Sequence, residues 1–185
     1  MLNSVVALFN AGAAAAAGDY QSIATVTVGS GGSSSIDFTS IPSDFVHLQI
    51  RLLARGTFAD DMDNISVKLN GSSSASGWHL LRGNGSAANS YGYTIYTPSI
   101  PYIPAATMSS GIFGASVLDI LDYADTNKYK TWRALTGGDR NGSGYITLSS
   151  GLYQSTSAIS SITLSFNNGN AAQYSHFALY GIKGA

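Results

Sequence analysis

Hydrophobic and polar positions alternate with a period of two along most of the chain after residue 19, which predicts β-strands with one buried face. The alternation is regular over 20–28, 45–56 and 64–71. Phe45 and His47 fall on the polar side of the second segment, away from the expected core. The residues predicted to face the core in the second and third segments are Val46, Leu48, Ile50, Leu52, Ile65, Val67 and Leu69.

Turn signals separate these segments. GSGGSSS at 29–35 predicts the loop of an outer hairpin whose return strand is SIDFTS at 35–40. The pair Asn70 and Gly71 is a strong hairpin signal of its own. The alternation is less regular over 71–108, which predicts short strands joined by long loops. Five further strands follow, so the total is about ten.

About ten short strands without helical periodicity predict an all-β fold, an antiparallel β-sandwich that is jelly-roll-like. A barrel is the alternative, whereas a parallel β-helix would need an internal repeat that the chain lacks. We expect one β-sandwich domain at 20–185, preceded by an N-terminal extended or helical arm at 1–19.

Composition narrows the class of protein. Only 10% of the 185 residues are charged, and the formal net charge is -1, so the surface must consist largely of Ser, Thr, Asn and Gly. Nine Lys and Arg, none before Arg51, do not form the basic stripe that nucleic-acid binding needs. No cysteine is present, which excludes disulfides, thiolate metal sites and cysteine nucleophiles.

The stretch VVALFNAGAAAAAGDY at 5–20 allows three interpretations: a cleaved signal, a membrane span or an arm. A signal needs a basic start, and a span needs about 20 apolar residues, neither of which is found here. The remaining interpretation is an arm that anchors the protein on a partner, with no membrane involved. Its apolar contact residues are Leu2, Val5, Val6, Leu8 and Phe9.

No motif in the chain indicates catalysis, and we predict no catalytic residue, no resident metal and no cofactor. DDMDN at 60–64 offers oxygen ligands to calcium, but its spacing matches no EF-hand loop, so an acidic turn is favoured. The three histidines, His47, His79 and His176, are far apart in sequence, and each is interpreted as a strand residue rather than a zinc ligand. The charged stretch at 122–134 is interpreted as a hairpin tip.

Aromatic residues cluster in the loose middle of the chain. Such a row can stack against the sugar rings of a glycan, line a protein interface or cap the core, and all three remain open. The candidate residues for glycan or partner contact are Trp78, Tyr91, Tyr93, Tyr96 and Tyr102.

Three segments, DYQSIATVTVGSGGSSSIDFTSIPSDFVHLQIRLLARG, VLDILDYADTNKYKT and YSHFALYGIKGA, together resemble a family of small virion structural proteins of tailed bacteriophages, common among cyanophages and other aquatic phages. The likeness covers about residues 19–185, but the segment 71–108 shares with the family only its irregular pattern. The resemblance implies a non-enzymatic protein on the surface of the phage particle, made in the host cytoplasm. It carries no catalytic residues to transfer.

Within that class we expect a capsid decoration or cement protein that docks through its arm, as a homo-trimer, on the major capsid protein. The alternative is a tail-fibre or baseplate-associated module that contacts tail proteins and binds a host glycan through the tyrosines. A glycan-active enzyme is disfavoured because no pair of catalytic carboxylates accompanies the aromatic residues.

Overall fold

The computed structural model describes residues 19–72, 76–96 and 98–184. Within these ranges the chain forms strands and no helix, which confirms the all-β prediction. The described strands number twelve rather than ten. They are β1 (Tyr20–Thr27), β2 (Ile36–Phe38), β3 (His47–Ala54), β4 (Met62–Leu69), β5 (Ser76–Gly83), β6 (Ala88–Tyr96), β7 (Ser99–Pro104), β8 (Gly114–Leu121), β9 (Lys130–Asp139), β10 (Gly144–Tyr153), β11 (Ile162–Phe166) and β12 (His176–Ile182).

The strands form two sheets of unequal width, in which every pair of neighbours is antiparallel. The larger sheet has eight strands in the order β1-β12-β3-β8-β9-β10-β5-β6, and the smaller has four in the order β2-β11-β4-β7. The two sheets face each other as the layers of a β-sandwich. A jelly-roll connectivity remains a prediction, and the predicted arm lies outside the described residues except for Asp19.

A single hydrophobic core fills the space between the sheets. The alternation predicted for β3 and β4 is correct from residue 48 onward. The prediction is wrong for Phe45 and Val46, because Phe45 is buried and Val46 is exposed. The strand begins at His47, so the preceding residues do not continue its alternation. The Phe45 ring fills the space that a side chain at Gly181 would occupy.

Two predicted turns connect different elements from those expected. The segment 29–35 is not a hairpin loop, because β1 pairs with β12 in the large sheet and β2 pairs with β11 in the small one. The loop therefore carries the chain from one sheet to the other. Asn70 and Gly71 do form a tight turn with positive φ values of 52° and 71°, but β4 and β5 belong to different sheets. This turn also joins sheets rather than paired strands.

The charged stretch at 122–134 does contain the hairpin tip between β8 and β9. Lys130, at the end of this tip, is fully buried. Its ammonium donates hydrogen bonds to the backbone carbonyls of Asp125, Lys128 (3.0 Å) and Thr156 (3.0 Å). The buried lysine therefore ties the tip to the loop after β10.

Candidate ligand-binding cleft

A cleft of about 540 Å³ opens between the two sheets near one edge of the sandwich. Its origin lies in the unequal widths of the sheets. The edge strand of the small sheet, β7, packs against β8, β9 and β10, whereas β5 and β6 lie farther out in the large sheet. One wall of the cleft comes from β5 and β6, and the other comes from β4, β7 and the residue after β11.

Four of the five aromatic residues singled out from the sequence line this cleft. Trp78 and Tyr93 occupy opposed positions on β5 and β6, and their ring centroids are 4.9 Å apart with the planes tilted by 30°. Tyr91 lies two residues before Tyr93 on the same face, and Tyr102 contributes from β7. The fifth, Tyr96, ends β6, and its side chain lies outside what the structure describes.

Trp78 forms a buried part of the cleft wall. Its side chain is 7% exposed and belongs to the hydrophobic core. Its indole Nε1 is also buried, and no described residue accepts a hydrogen bond from it. A buried N–H group without an acceptor is costly, of the order of 1–3 kcal/mol. Trp78 therefore contributes a largely buried ring to the cleft wall and keeps a donor for which the described residues offer no acceptor.

The opposite wall is polar and uncharged. Asn64, Ser66, Ser99 and Asn167 line it, and Ser66 Oγ donates to Asn167 Oδ1 over 2.5 Å. The backbone N–H of Asn167 donates to the carbonyl of Asn64 over 2.9 Å. Within the described residues, the amide nitrogens of both asparagines take part in no side-chain hydrogen bond, so they remain able to donate to a ligand.

Tyr102 adopts a backbone conformation that is unusual for its residue type. Its φ is +62°, in the left-handed region that tyrosine seldom occupies. The pairing between β4 and β7 is irregular at this point, and the side chain of Asn64 accepts a hydrogen bond from the Tyr102 backbone N–H over 3.1 Å. This local irregularity directs the Tyr102 ring into the cleft, and such backbone outliers cluster at binding sites.

Arg82, on β5, connects the tyrosines beside the cleft. Its guanidinium donates to the hydroxyls of Tyr102 (2.7 Å) and Tyr91 (3.1 Å). It lies 5.1 to 5.4 Å from the ring centroids of Tyr91, Tyr102 and Tyr145, within the range of cation–π attraction. Burial disfavours the charged form, but the bond to Tyr102 and the nearby tyrosine hydroxyls outweigh it and raise the pKa of Arg82.

The sequence pointed to the aromatic residues of the cleft but not to Arg82 or to the asparagines and Ser66. Arg82 lies two residues after Leu80, on the same face of β5, so the alternation of the strand was a usable signal. Asn64, Ser66 and Asn167 gave no such signal, because they are joined to the tyrosines only through the packing of the two sheets.

The described lining offers binding groups but no acid–base pair. Among the described residues that line the cleft, the titratable side chains are three tyrosines, and none is a carboxylate, histidine or lysine. Aromatic faces, serine hydroxyls and asparagine amides are the groups that stack against and hydrogen-bond a neutral, hydroxyl-rich molecule. The arrangement is therefore suited to recognition.

The acidic stretch DDMDN is tied into the fold. Asp63 is buried and accepts hydrogen bonds from the backbone and side chain of Asn168. Asp61 pairs with Arg140 at 2.5 Å. In the part of the chain that the structure describes, no three His, Cys, Asp or Glu side chains come together to hold a metal ion. The histidines His47, His79 and His176 accordingly share no site there.

No described helix is long and apolar enough to cross a membrane. Comparison with known proteins identifies no relative: no family model, no curated protein and no solved structure matches the chain.

Proposed function

We propose that the chain is a non-enzymatic component of a phage virion whose β-sandwich binds a carbohydrate on the host surface through the cleft between β5–β6 and β4–β7. The observation that carries this proposal is the aromatic wall. Trp78, Tyr91 and Tyr93 lie on the β5–β6 wall and face Tyr102 and the asparagine and serine side chains of the other wall. The resemblance of three segments to phage virion proteins supports the assignment to a virion.

The chemistry of the lining favours a neutral sugar. A pyranose ring presents an apolar face that stacks on an aromatic ring, and its hydroxyls need donors and acceptors around the edge. Asn64 and Asn167 supply amide groups, and Ser66 and Ser99 supply hydroxyl groups. A cleft of about 540 Å³ is of the size of small-molecule sites, which run from about 300 to 1,000 Å³.

The proposal is tested by applying the full chain to a printed array of bacterial capsular and O-antigen polysaccharides. Binding to a hit is then titrated through the fluorescence of the two tryptophans. We expect Tyr93→Ala to weaken binding by about tenfold or more. Tyr129→Ala, which removes an exposed ring elsewhere, should leave binding unchanged. A wild-type chain that binds no polysaccharide, or a Tyr93→Ala variant that binds as well as wild type, would refute the proposal.

A second candidate is capsid decoration through the arm residues Leu2 to Phe9, which lie outside the described residues. The observation that favours a role within an assembly is the set of exposed aliphatic side chains on the large sheet. Gel densitometry of purified virions distinguishes the positions, since decoration requires hundreds of copies and a fibre a few dozen. Particles that retain a variant lacking residues 2–9 would exclude docking through the arm.

A further inference from the structure

The outer face of the eight-stranded sheet carries a continuous apolar patch. Outward-facing aliphatic residues meet across paired strands, because Leu135 of β9 is opposite both Val117 of β8 and Leu148 of β10, and Leu148 is opposite Leu81 of β5. Ile146 lies two residues before Leu148 on the same face. The large exposed residues of this apolar patch, each 48 to 60% accessible, are Leu53, Leu81, Leu135, Ile146 and Leu148.

This arrangement is unusual for an outer sheet face, where polar residues normally alternate with the buried ones. The strand positions that face outward at the edge of the same sheet, such as Thr25 and Thr27 of β1, are polar. The large exposed aliphatic residues of this sheet thus cluster near the centre of the face. A contiguous patch of this kind marks an interaction surface.

We infer that the apolar patch is covered by a second copy of this chain. The shape of the apolar patch supports this occupant. Gly137 leaves open space above β9, and around it lies a groove of about 410 Å³ lined by Ala115, Val117, Leu135 and Ile146 among others. Ile146 is the most exposed of the aliphatic residues beside that groove. Exposed aliphatic side chains beside open space on one surface suit a twofold interface, because each copy offers both to the other.

The area of the apolar patch is also that of a protein interface. Five aliphatic side chains, each about half exposed, present on the order of 500 Å² of apolar surface. A stable interface buries about 800 Å² per partner, of which nearly 60% is apolar, so its apolar part is also about 500 Å². The apolar patch therefore matches the centre of an interface between two copies, with polar residues at the rim.

The charged residues around the apolar patch also favour a second copy over a charged partner. Asp119 accepts hydrogen bonds from Arg133 (3.0 Å) and Gln49 (2.8 Å) of the same chain. Arg51 donates to Gln49 and lies over the ring of Tyr20. The flanking charges are thus engaged within the chain and offer no strong field to a charged partner. A formal net charge of -1 also means that two copies repel each other only weakly.

The test is the mass of the full chain in solution, measured by sedimentation equilibrium from about 1 µM to 1 mM. We expect wild type to associate reversibly and Leu135→Lys to weaken the association by about tenfold or more. The matched control is Thr25→Lys, which adds the same charge on the same face outside the apolar patch. Urea unfolding of both variants, monitored by tryptophan fluorescence, verifies that they fold.

A dimer that dissociates on Leu135→Lys and persists on Thr25→Lys supports the inference. A wild-type chain that is monomeric at about 1 mM overturns it. An oligomer that Leu135→Lys leaves intact, or one that both lysine variants weaken equally, also overturns it, because association would then occur through another surface or respond only to charge.

Discussion

Arg82 Nη1 donates a hydrogen bond to Tyr102 Oη over 2.7 Å, and this bond joins the eight-stranded sheet to the four-stranded sheet beside the cleft. A second bond, from Nη2 to Tyr91 Oη at 3.1 Å, holds a tyrosine of β6, in the opposite wall. One planar guanidinium therefore positions two of the aromatic rings. The geometry depends on several donors in a fixed plane, which lysine lacks.

Replacing Arg82 by lysine should lower the free energy of unfolding by about 1–2 kcal/mol, because one ammonium cannot replace both bonds and the ring contacts. Arg133→Lys is the matched control, since Arg133 is exposed and makes one surface ion pair with Asp119; it should cost less than about 0.5 kcal/mol. Urea unfolding of each variant gives the comparison. Equal effects of the two substitutions would mean that the contacts of Arg82 with the tyrosines add nothing to the free energy of unfolding.

Gly151 is needed where the Trp132 indole lies across β10. A Cβ atom at Gly151 would come within 2.5 Å of the Trp132 ring, and Gly151 is the register partner of both Trp132 and Trp78. Gly151→Ala should therefore destabilise the fold by about 1–3 kcal/mol through overpacking. Gly137→Ala, at a strand position with open space, should be neutral or slightly stabilising. Chemical unfolding at a protein concentration of about 1 µM separates these effects from association.

Asn70 does more than adopt the positive φ of its turn. Its Oδ1 accepts a hydrogen bond from the Ser160 N–H (2.8 Å), and its Nδ2 donates to the Ala158 carbonyl (2.8 Å). Asn70→Gly keeps a residue suited to φ of 52° but loses these bonds, so we expect about 1–2 kcal/mol of lost stability. Thermal and urea unfolding measure it. If Asn70→Gly were as stable as wild type, the turn conformation alone would explain the asparagine.

Alkaline stability should depend on Tyr123. Burial raises the pKa of Tyr123, whose hydroxyl donates to the Pro42 carbonyl. The unfolded chain ionises this group near pH 10. Its contribution is therefore complete below about pH 10 and is lost as the pH rises through the higher folded value.

The measurement is the free energy of unfolding of wild type and Tyr123→Phe between about pH 8 and 11.5. We expect the variant to be less stable by about 1–2 kcal/mol at pH 8, with a shallower decline above pH 10. Lys130, whose pKa burial lowers, acts in the opposite sense in both proteins. The difference between the two slopes thus reports Tyr123, and identical slopes would contradict the assignment.

Much of the local structure was predictable because it depends on neighbours in sequence. The alternation of Ile65, Val67 and Leu69 identified the inner face of β4, and the Asn70–Gly71 pair identified a tight turn. Which strands pair with each other could not be predicted in the same way. A loop such as 29–35 is equally compatible with a hairpin and with a crossing between sheets, and the choice depends on distant strands, β12 and β11.

The aromatic cluster shows the same division. The sequence indicated that Trp78 and the tyrosines form a cluster. It left open whether they bind a glycan, contact a partner protein or cap the core. The tertiary structure places Trp78 in the core and in the cleft wall together, and it adds Arg82 and Asn64 from strands that the sequence had not linked to it.

By itself, the sequence determined that this protein is all-β, weakly charged and rich in aromatic residues, because strand alternation and composition are local properties of the chain. Only the tertiary structure decided that an eight-stranded sheet faces a four-stranded one and leaves a cleft beyond β7. It also decided that aliphatic residues of five strands meet on one outer face. Both features arise from pairing between distant segments, whose free energy is a property of the whole packed domain.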